Sequence, residues 1–256
     1  MTKRAAVESD ILVDQGIDFS NAVHLVTQSK GGVGKSLVSK CIAEYIKKDG
    51  REPVCFDADP ANQTFSRVTA LRVRPVDLLV DGDIDRRKFD TLINEIGTTA
   101  GPFVVDTGSS SFYAIWDYIV QNETFDLFEE YGRKVVIHTP IAPPPDLDDT
   151  LAGFSDICAL APDRSVVVWL NERTEPIRVD GKDFEESAVA QDSAEKLMAA
   201  VLIKYRRSCY HAPDLLEMLK AGKTFEEMIF EKDIASKKRF HILWSEIQMQ
   251  LSRIGI

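Results

Sequence analysis

Residues 28–36 read Gln28-Ser29-Lys30-Gly31-Gly32-Val33-Gly34-Lys35-Ser36, and this stretch decides the fold. The run before it, NAVHLVTQ (21–28), reads as a buried strand. After it, Leu37, Val38, Cys41, Ile42, Tyr45 and Ile46 recur at helical spacing over 37–48, and Gly50 stands where a C-terminal cap belongs. A strand, a Gly-rich turn and a helix in that order bring backbone N–H groups and a positive helix end to one point, which suits a phosphate group. In this pattern Lys35 reaches the β- and γ-phosphates and the Ser36 hydroxyl ligates Mg²⁺. Gly31, Gly32, Val33, Gly34 and Leu37 supply the surrounding main chain. Ser29 occupies the place where the strict pattern has its first Gly.

Moving outward, PVCFDAD (53–59) reads as a second short strand ending in carboxylates. Helical patterns at 86–97, 112–121 and 147–160 alternate with apolar strands at 103–106, 134–139 and 165–170. A Pro-rich loop is expected at 140–146 and a polar loop at 171–187. A last strand is expected at 198–205, with helices from 213 onward. Apolar strands alternating with helices predict a doubly wound α/β fold, a mostly parallel sheet flanked by helices. Ligands on such sheets bind at the carboxyl ends of the strands. No repeat or linker interrupts 21–256, so these residues read as one domain with a helical C-terminal part, preceded by an acidic arm over 1–20.

Two carboxylate groups fall at strand ends. On an extended chain Asp57 and Asp59 point to one face, and two like charges so close call for a cation or a water network. Mg²⁺ beside the Gly-rich loop would supply it; a pair of carboxylates capping a turn before Pro60 is the plainer alternative. Phe103-Val104-Val105-Asp106 is an apolar strand ending in Asp, the form of a Walker B element whose Asp holds Mg²⁺. Gly108 to Ser111 would then sense the γ-phosphate.

With Lys30 as well as Lys35, the loop resembles the deviant Walker A motif of the ParA/MinD superfamily of P-loop ATPases. The stretches QSKGGVGKS, DADPANQTF (57–65), FVVDTGSSSF, VVIHTP, LDDTLAGF and VVVWLNE together resemble the TraL-type conjugal-transfer ATPases of plasmids. The likeness runs from about 22 to 173 and continues more loosely towards the end. It implies an ATP-dependent homodimer and slow, Mg²⁺-dependent hydrolysis in plasmid conjugation or stability. Within it Lys30 reaches the partner subunit's phosphates, and Asp59 positions the attacking water. Asp57 supports the outer shell of the metal, and Asn171 hydrogen-bonds adenine. The implied partner is a plasmid-transfer or DNA-bound protein. A ParA-type partition ATPase and an ATP-dependent biosynthetic enzyme on the same fold are the alternatives. A module that binds nucleotide without hydrolysing it is a third.

Composition narrows the classes further. The 256 residues are 44% hydrophobic and 28% charged, the proportions of an ordinary globular protein. A net charge of -10 argues against a protein that coats nucleic acid, since that affinity comes from Lys and Arg. Residues 204–256 nevertheless carry 10 Lys+Arg against 7 Asp+Glu, so direct nucleic-acid contact through that sector stays open. Lys204, Arg206 and Arg207 read first as a solvated strand end. Phe240, Leu243, Trp244, Ile247 and Leu251 share one helical face, which suits a terminal helix docked on the core; a membrane-surface helix is the alternative. His138, at a strand's carboxyl end, reads as structural. The cysteines at 41, 55, 158 and 209 form no C-x-x-C pair, so zinc-ribbon, thioredoxin and cluster-carrying readings fail. With no signal-like leader and no apolar run of 18, a cytoplasmic protein with no integral membrane segment is expected.

Overall fold

Four buried residues, Val23–Val26, form β1 at the centre of the sheet. The computed structural model describes residues 19–59, 62–80, 83–206 and 208–256. The expected arm therefore lies, up to position 18, outside the described residues, as does Arg207. After β1 come α1 (Lys35–Lys48), β2 (Val54–Ala58) and the two-residue strand β3 (Arg74–Pro75). A small antiparallel hairpin, β4 (Leu79–Val80) and β5 (Asp83–Ile84), stands apart from the main sheet. Then follow α2 (Arg86–Thr98), β6 (Phe103–Thr107), α3 (Phe112–Gln121) and α4 (Thr124–Glu130). Next are β7 (Val135–Ile141), α5 (Leu147–Leu160), β8 (Val166–Glu172), α6 (Ala188–Asp192) and β9 (Leu197–Lys204). The chain closes with α7 (Ala212–Ala221), α8 (Phe225–Glu231) and α9 (Ile234–Ile254).

The seven main strands lie in the order β3-β2-β6-β1-β7-β8-β9, and every pairing among them is parallel. Alternate residues feed two cores. Val26, Val104, Val136, Val167 and Trp169 face the layer of α1 and α7–α9. Val23, Leu25, Phe103, Val105, Ile137 and Val168 face the layer of α2, α3 and α5. Both faces are covered, which is why the strands read as unbroken apolar runs rather than alternating ones.

The docked reading of the C-terminal helix is the one seen. Phe240, Leu243, Trp244, Ile247 and Leu251 are buried, and Trp244 stacks on Phe225 with centroids 4.6 Å apart. Two elements run longer than the sequence predicts. β8 continues through Asn171 and Glu172, and β7 continues through Pro140. Pro140 is tolerated because it stands beyond the end of β1, so its missing N–H leaves no ladder bond unmade. The short elements β3, β4, β5, α4 and α6 carry too few residues to show a period, and the sequence pattern misses them.

His138 is fully buried and has partners on both sides. Trp169 Nε1 donates to His138 Nδ1 at 3.0 Å, and His138 Nε2 lies 3.0 Å from His24 Nδ1. The Trp donor makes His138 Nδ1 an acceptor, which leaves the proton on Nε2 for His24. At the edge of the sheet Arg206 pairs with Glu172 at 3.5 Å, so one of the expected free cations is engaged.

Candidate functional site

The carboxyl ends of β1, β2 and β6 converge on the Gly-rich loop. Gly32 (φ 73) and Gly34 (φ 106) occupy the left-handed region, and a Cβ at Gly34 would meet Asn171 Nδ2 at 2.4 Å. Gly34 is also the N-cap of α1, so no side chain closes that helix end. The first amide bonded along the helix is that of Val38, to the Gly34 carbonyl. The amides of Lys35, Ser36 and Leu37 thus have no intrahelical partner and suit an anion. Leu37 lacks a hydroxyl but contributes this N–H.

Gly31, Gly34, Lys35, Ser36 and Asp59 line a cleft of about 350 Å³, together with Lys40, Leu219 and Gly222. Lys35 is buried and donates to the Lys30 carbonyl at 3.1 Å. Burial pulls its ammonium below the ordinary lysine range, opposed by the charges of Asp106 and Asp59. Asp106, at the end of β6, is buried; burial pushes its carboxyl up to about 7, against a hydrogen bond from Ser36. Its Oδ1 has no hydrogen-bond partner. A buried carboxylate oxygen without a partner is costly unless something else completes it.

That orphan oxygen beside the Ser36 hydroxyl fits Mg²⁺, which binds few protein oxygens and takes the rest of its shell from water and phosphate. Among the described residues no three His, Cys, Asp or Glu side chains form a metal cage, as such a site requires none.

Asp59 lines the same cleft, and Asp57 is buried two residues before it. Asp57 lies beside Asp106 in register. Its Oδ1 accepts the Asp59 amide at 3.2 Å and its Oδ2 the Ser66 amide at 2.8 Å, so it braces the loop after β2. Burial raises its carboxyl above the ordinary range. Asp59 Oδ1 accepts the Asn62 amide at 3.0 Å. The turn-capping alternative therefore describes the hydrogen bonds of both residues. Gly108 lets the turn after β6 approach Asp59, since a Cβ there would lie 3.0 Å from Asp59 Oδ1.

The opposite side of the loop is strapped by side chains from β7–α5 and β8. Asn171 Nδ2 donates to the Val33 carbonyl at 2.9 Å, and its Oδ1 is buried without a partner. Arg173 donates to the Gly32 carbonyl at 2.8 Å and to Asp146. Lys30 Nζ lies 2.7 Å from Asp149 and 3.3 Å from Asp146, and these partners raise its pKa, Asp149 first. Gln28, just before the loop, is fully buried and bonds to Thr139, Pro140 and Thr150. Of these residues, sequence reasoning singled out only Lys30 and Asn171. Asp149 sits inside the quoted LDDTLAGF stretch, Asp146 just before it and Arg173 two residues after Asn171, but nothing local separates them from solvated charges.

Two curated proteins from Escherichia coli, each named Protein TraL, are 32% identical to the chain over 237 residues, covering 91% of it and 98% of each relative. The chain belongs to the TraL family. No family model matches it. The MinD cell division protein of Aquifex aeolicus resembles the chain in structure, with a TM-score of 0.51 and 16% identity over 90% of the chain and 96% of MinD. The chain thus has the MinD type of P-loop α/β fold, and that likeness speaks for the fold alone.

Proposed function

We propose that the protein is a Mg²⁺-dependent ATPase that binds ATP, closes into a homodimer around it, hydrolyses it slowly and reopens. The carrying observation is the meeting of Lys35, Ser36 and the unpartnered Asp106 oxygen at a helix end left uncapped for an anion. The amides of Gly31, Gly32, Val33, Gly34, Lys35, Ser36 and Leu37 bind the phosphates, and Lys35 holds the β/γ region. Ser36 and Asp106 would hold Mg²⁺, with Asp57 bracing the rim. Bound there, Mg²⁺ neutralises charge on the phosphate oxygens.

Asp59 orients the attacking water, at the end of a loop whose shape Asp57 fixes. Lys30 leaves its own carboxylates and stabilises charge on the partner subunit's phosphates, as an arginine finger does. Asn171 holds the P-loop through Val33 and keeps its Oδ1 free to accept from an adenine amino group. By kinship with TraL proteins, the process served is plasmid conjugal transfer or plasmid stability, with a plasmid-transfer or DNA-bound protein as partner. We take residues 21–256 as one ATPase domain acting in the cytoplasm. Among the described residues no helix is long and apolar enough to cross a membrane.

Size-exclusion chromatography with light scattering, run with ATP and Mg²⁺, with ADP and without nucleotide, tests the reading. Asp59→Ala is expected to accumulate as a dimer in ATP and to remain monomeric in ADP. A monomer under every condition overturns the switch.

A further inference from the structure

We propose that Gln28 sets where Lys30 stands and is a positioning residue for the phosphoryl transfer proposed above, on which this inference rests. Its amide joins the two things that locate Lys30. On one side, Oε1 accepts from the Ser29 amide at 2.8 Å and the Ser29 hydroxyl at 3.1 Å, fixing the residue before Lys30. On the other, Nε2 lies 3.1 Å from Thr139 Oγ1, 3.2 Å from the Pro140 carbonyl and 3.1 Å from the Thr150 carbonyl. Thr150 follows Asp149 in the first turn of α5, so the same side chain fixes the segment that carries the carboxylates of Lys30.

The packing leaves no slack. Gln28 is fully buried, and a Cβ at Gly153 of α5 would come within 1.9 Å of its Oε1 and 2.6 Å of Ser29 Oγ. A buried amide is costly unless its hydrogen bonds are made. Here they are spent across elements, between β1, β7 and α5, rather than within one. The lysine stem is flexible, so the place of its ammonium depends on its backbone and its acceptors. Gln28 governs both. A displacement of about 1 Å at a reacting group can cost on the order of 100-fold in rate.

Gln28→Met keeps roughly the volume and removes the hydrogen bonds, and Gly153→Ala disturbs the same contact from the other side. Three readouts on the full chain separate positioning from bulk stability. Amine-labelling of Lys30, followed by mass spectrometry without nucleotide, is expected to rise several-fold in both variants as the pairs with Asp146 and Asp149 loosen. Turnover of ATP is expected to fall about tenfold or more in kcat, with KM and the monomer's affinity for a fluorescent ADP analogue almost unchanged. In a Lys30→Ala background, Gln28→Met is expected to add nothing. Unchanged Lys30 labelling overturns the inference whether or not the protein turns over ATP. So does a kcat loss that adds in full to that of Lys30→Ala. Absent turnover and absent dimerisation in the unmodified protein would instead overturn the functional reading, with the labelling result standing by itself.

Discussion

Lys30 Nζ lies 2.7 Å from Asp149 Oδ2, within its own chain, so the ammonium proposed to act on a second subunit is held by a carboxylate of its own chain. Asp149 is the more exposed of its two acceptors, at 61% of the side chain, and it binds nothing else that Lys30 needs. Solvent screens an exposed pair of this kind, so it contributes little to stability. Asp149→Asn is therefore expected to leave the melting temperature nearly unchanged and to tighten ATP-dependent dimerisation by about two- to fivefold. Lys30→Ala is expected to abolish the dimer while the monomer still binds ATP. Analytical ultracentrifugation of the two variants distinguishes these outcomes; a weaker dimer in Asp149→Asn contradicts the idea that the pair competes with closure.

Asp106 gives a prediction about Mg²⁺. Asparagine in its place removes the charge that faces the cation position but keeps the shape. The preference of the site for Mg²⁺-ATP over ATP in EDTA is expected to shrink by about 10–100-fold, the usual penalty for losing a residue that supports a metal ligand. Binding of a fluorescent ATP analogue, titrated with and without Mg²⁺, reads this directly. An undiminished Mg²⁺ preference removes Asp106 from the metal site.

A buried ion pair fastens α1 to the C-terminal helices. Lys40 and Glu44, one turn apart on α1, are both buried; Lys40 donates to the Lys223 carbonyl, and both Glu44 oxygens accept the Phe225 amide, at 2.8 and 3.1 Å. Burial pushes the Glu44 carboxyl up, opposed by the Lys40 ammonium beside it. Glu44→Ala strands the ammonium and the Phe225 N–H together, and urea unfolding is expected to show a loss of about 3–5 kcal/mol. Lys40→Met with Glu44→Gln removes both charges while retaining an acceptor for Phe225, and is expected to lose clearly less. Equal losses in the two proteins would show that the pair's charges are immaterial.

The histidine pair predicts acid sensitivity. Burial, helped by the charge of Arg51, holds His24 down to about 3, and burial with His24 as neighbour holds His138 well below the ordinary imidazole range. The ordinary value is about 6.5, and the unfolded chain titrates there. Above that pH both states are neutral and the full stability is present. As pH falls below it the unfolded state takes up protons that the folded state refuses, so stability declines. Each imidazole contributes up to about 1.4 kcal/mol per pH unit, for His24 down to pH near 3. The raised carboxyls of Asp106 and Glu44 take up protons in the folded state over the same window and act in the opposite sense, so the imidazoles are read as a difference: relative to a His24→Gln variant, the denaturation midpoint of the unmodified protein should fall steadily from pH 6.5 to 4.5. A flat difference between 6.5 and 5.5 would mean that the imidazole is not kept neutral.

Much of this molecule was legible from one dimension because its sheet is covered twice. Strands such as Val166–Leu170 must be apolar on both faces, and that leaves an unmistakable mark. The loop was legible because Gly32 and Gly34 adopt a backbone that other residues rarely take. The ends of α1, α2, α3 and α5 agree with the apolar spacing to within two residues. What escaped was the set of long-range side-chain ties. Gln28 and Thr150 are separated by 122 residues, and nothing in either neighbourhood announces the bond. Lys40 reads as an ordinary polar position on an amphipathic helix, yet it is almost wholly enclosed because α8 covers it. Asp57 reads as a carboxylate beside a cation, and nothing in its neighbourhood shows that it also accepts the Asp59 and Ser66 amides.

Gly222 touches the chain after Asp59: a Cβ there would sit 2.6 Å from the Arg67 carbonyl, in a backbone with φ 62. The two walls of the cleft therefore differ in kind. One is lashed to β7, α5 and β8 by Gln28, Lys30, Asn171 and Arg173. The other is formed by Asn62, Thr64 and Val68 together with Leu219 and Gly222 at the end of α7. The C-terminal helices thus share a wall with the phosphate cleft although they lie far from the Gly-rich loop in sequence.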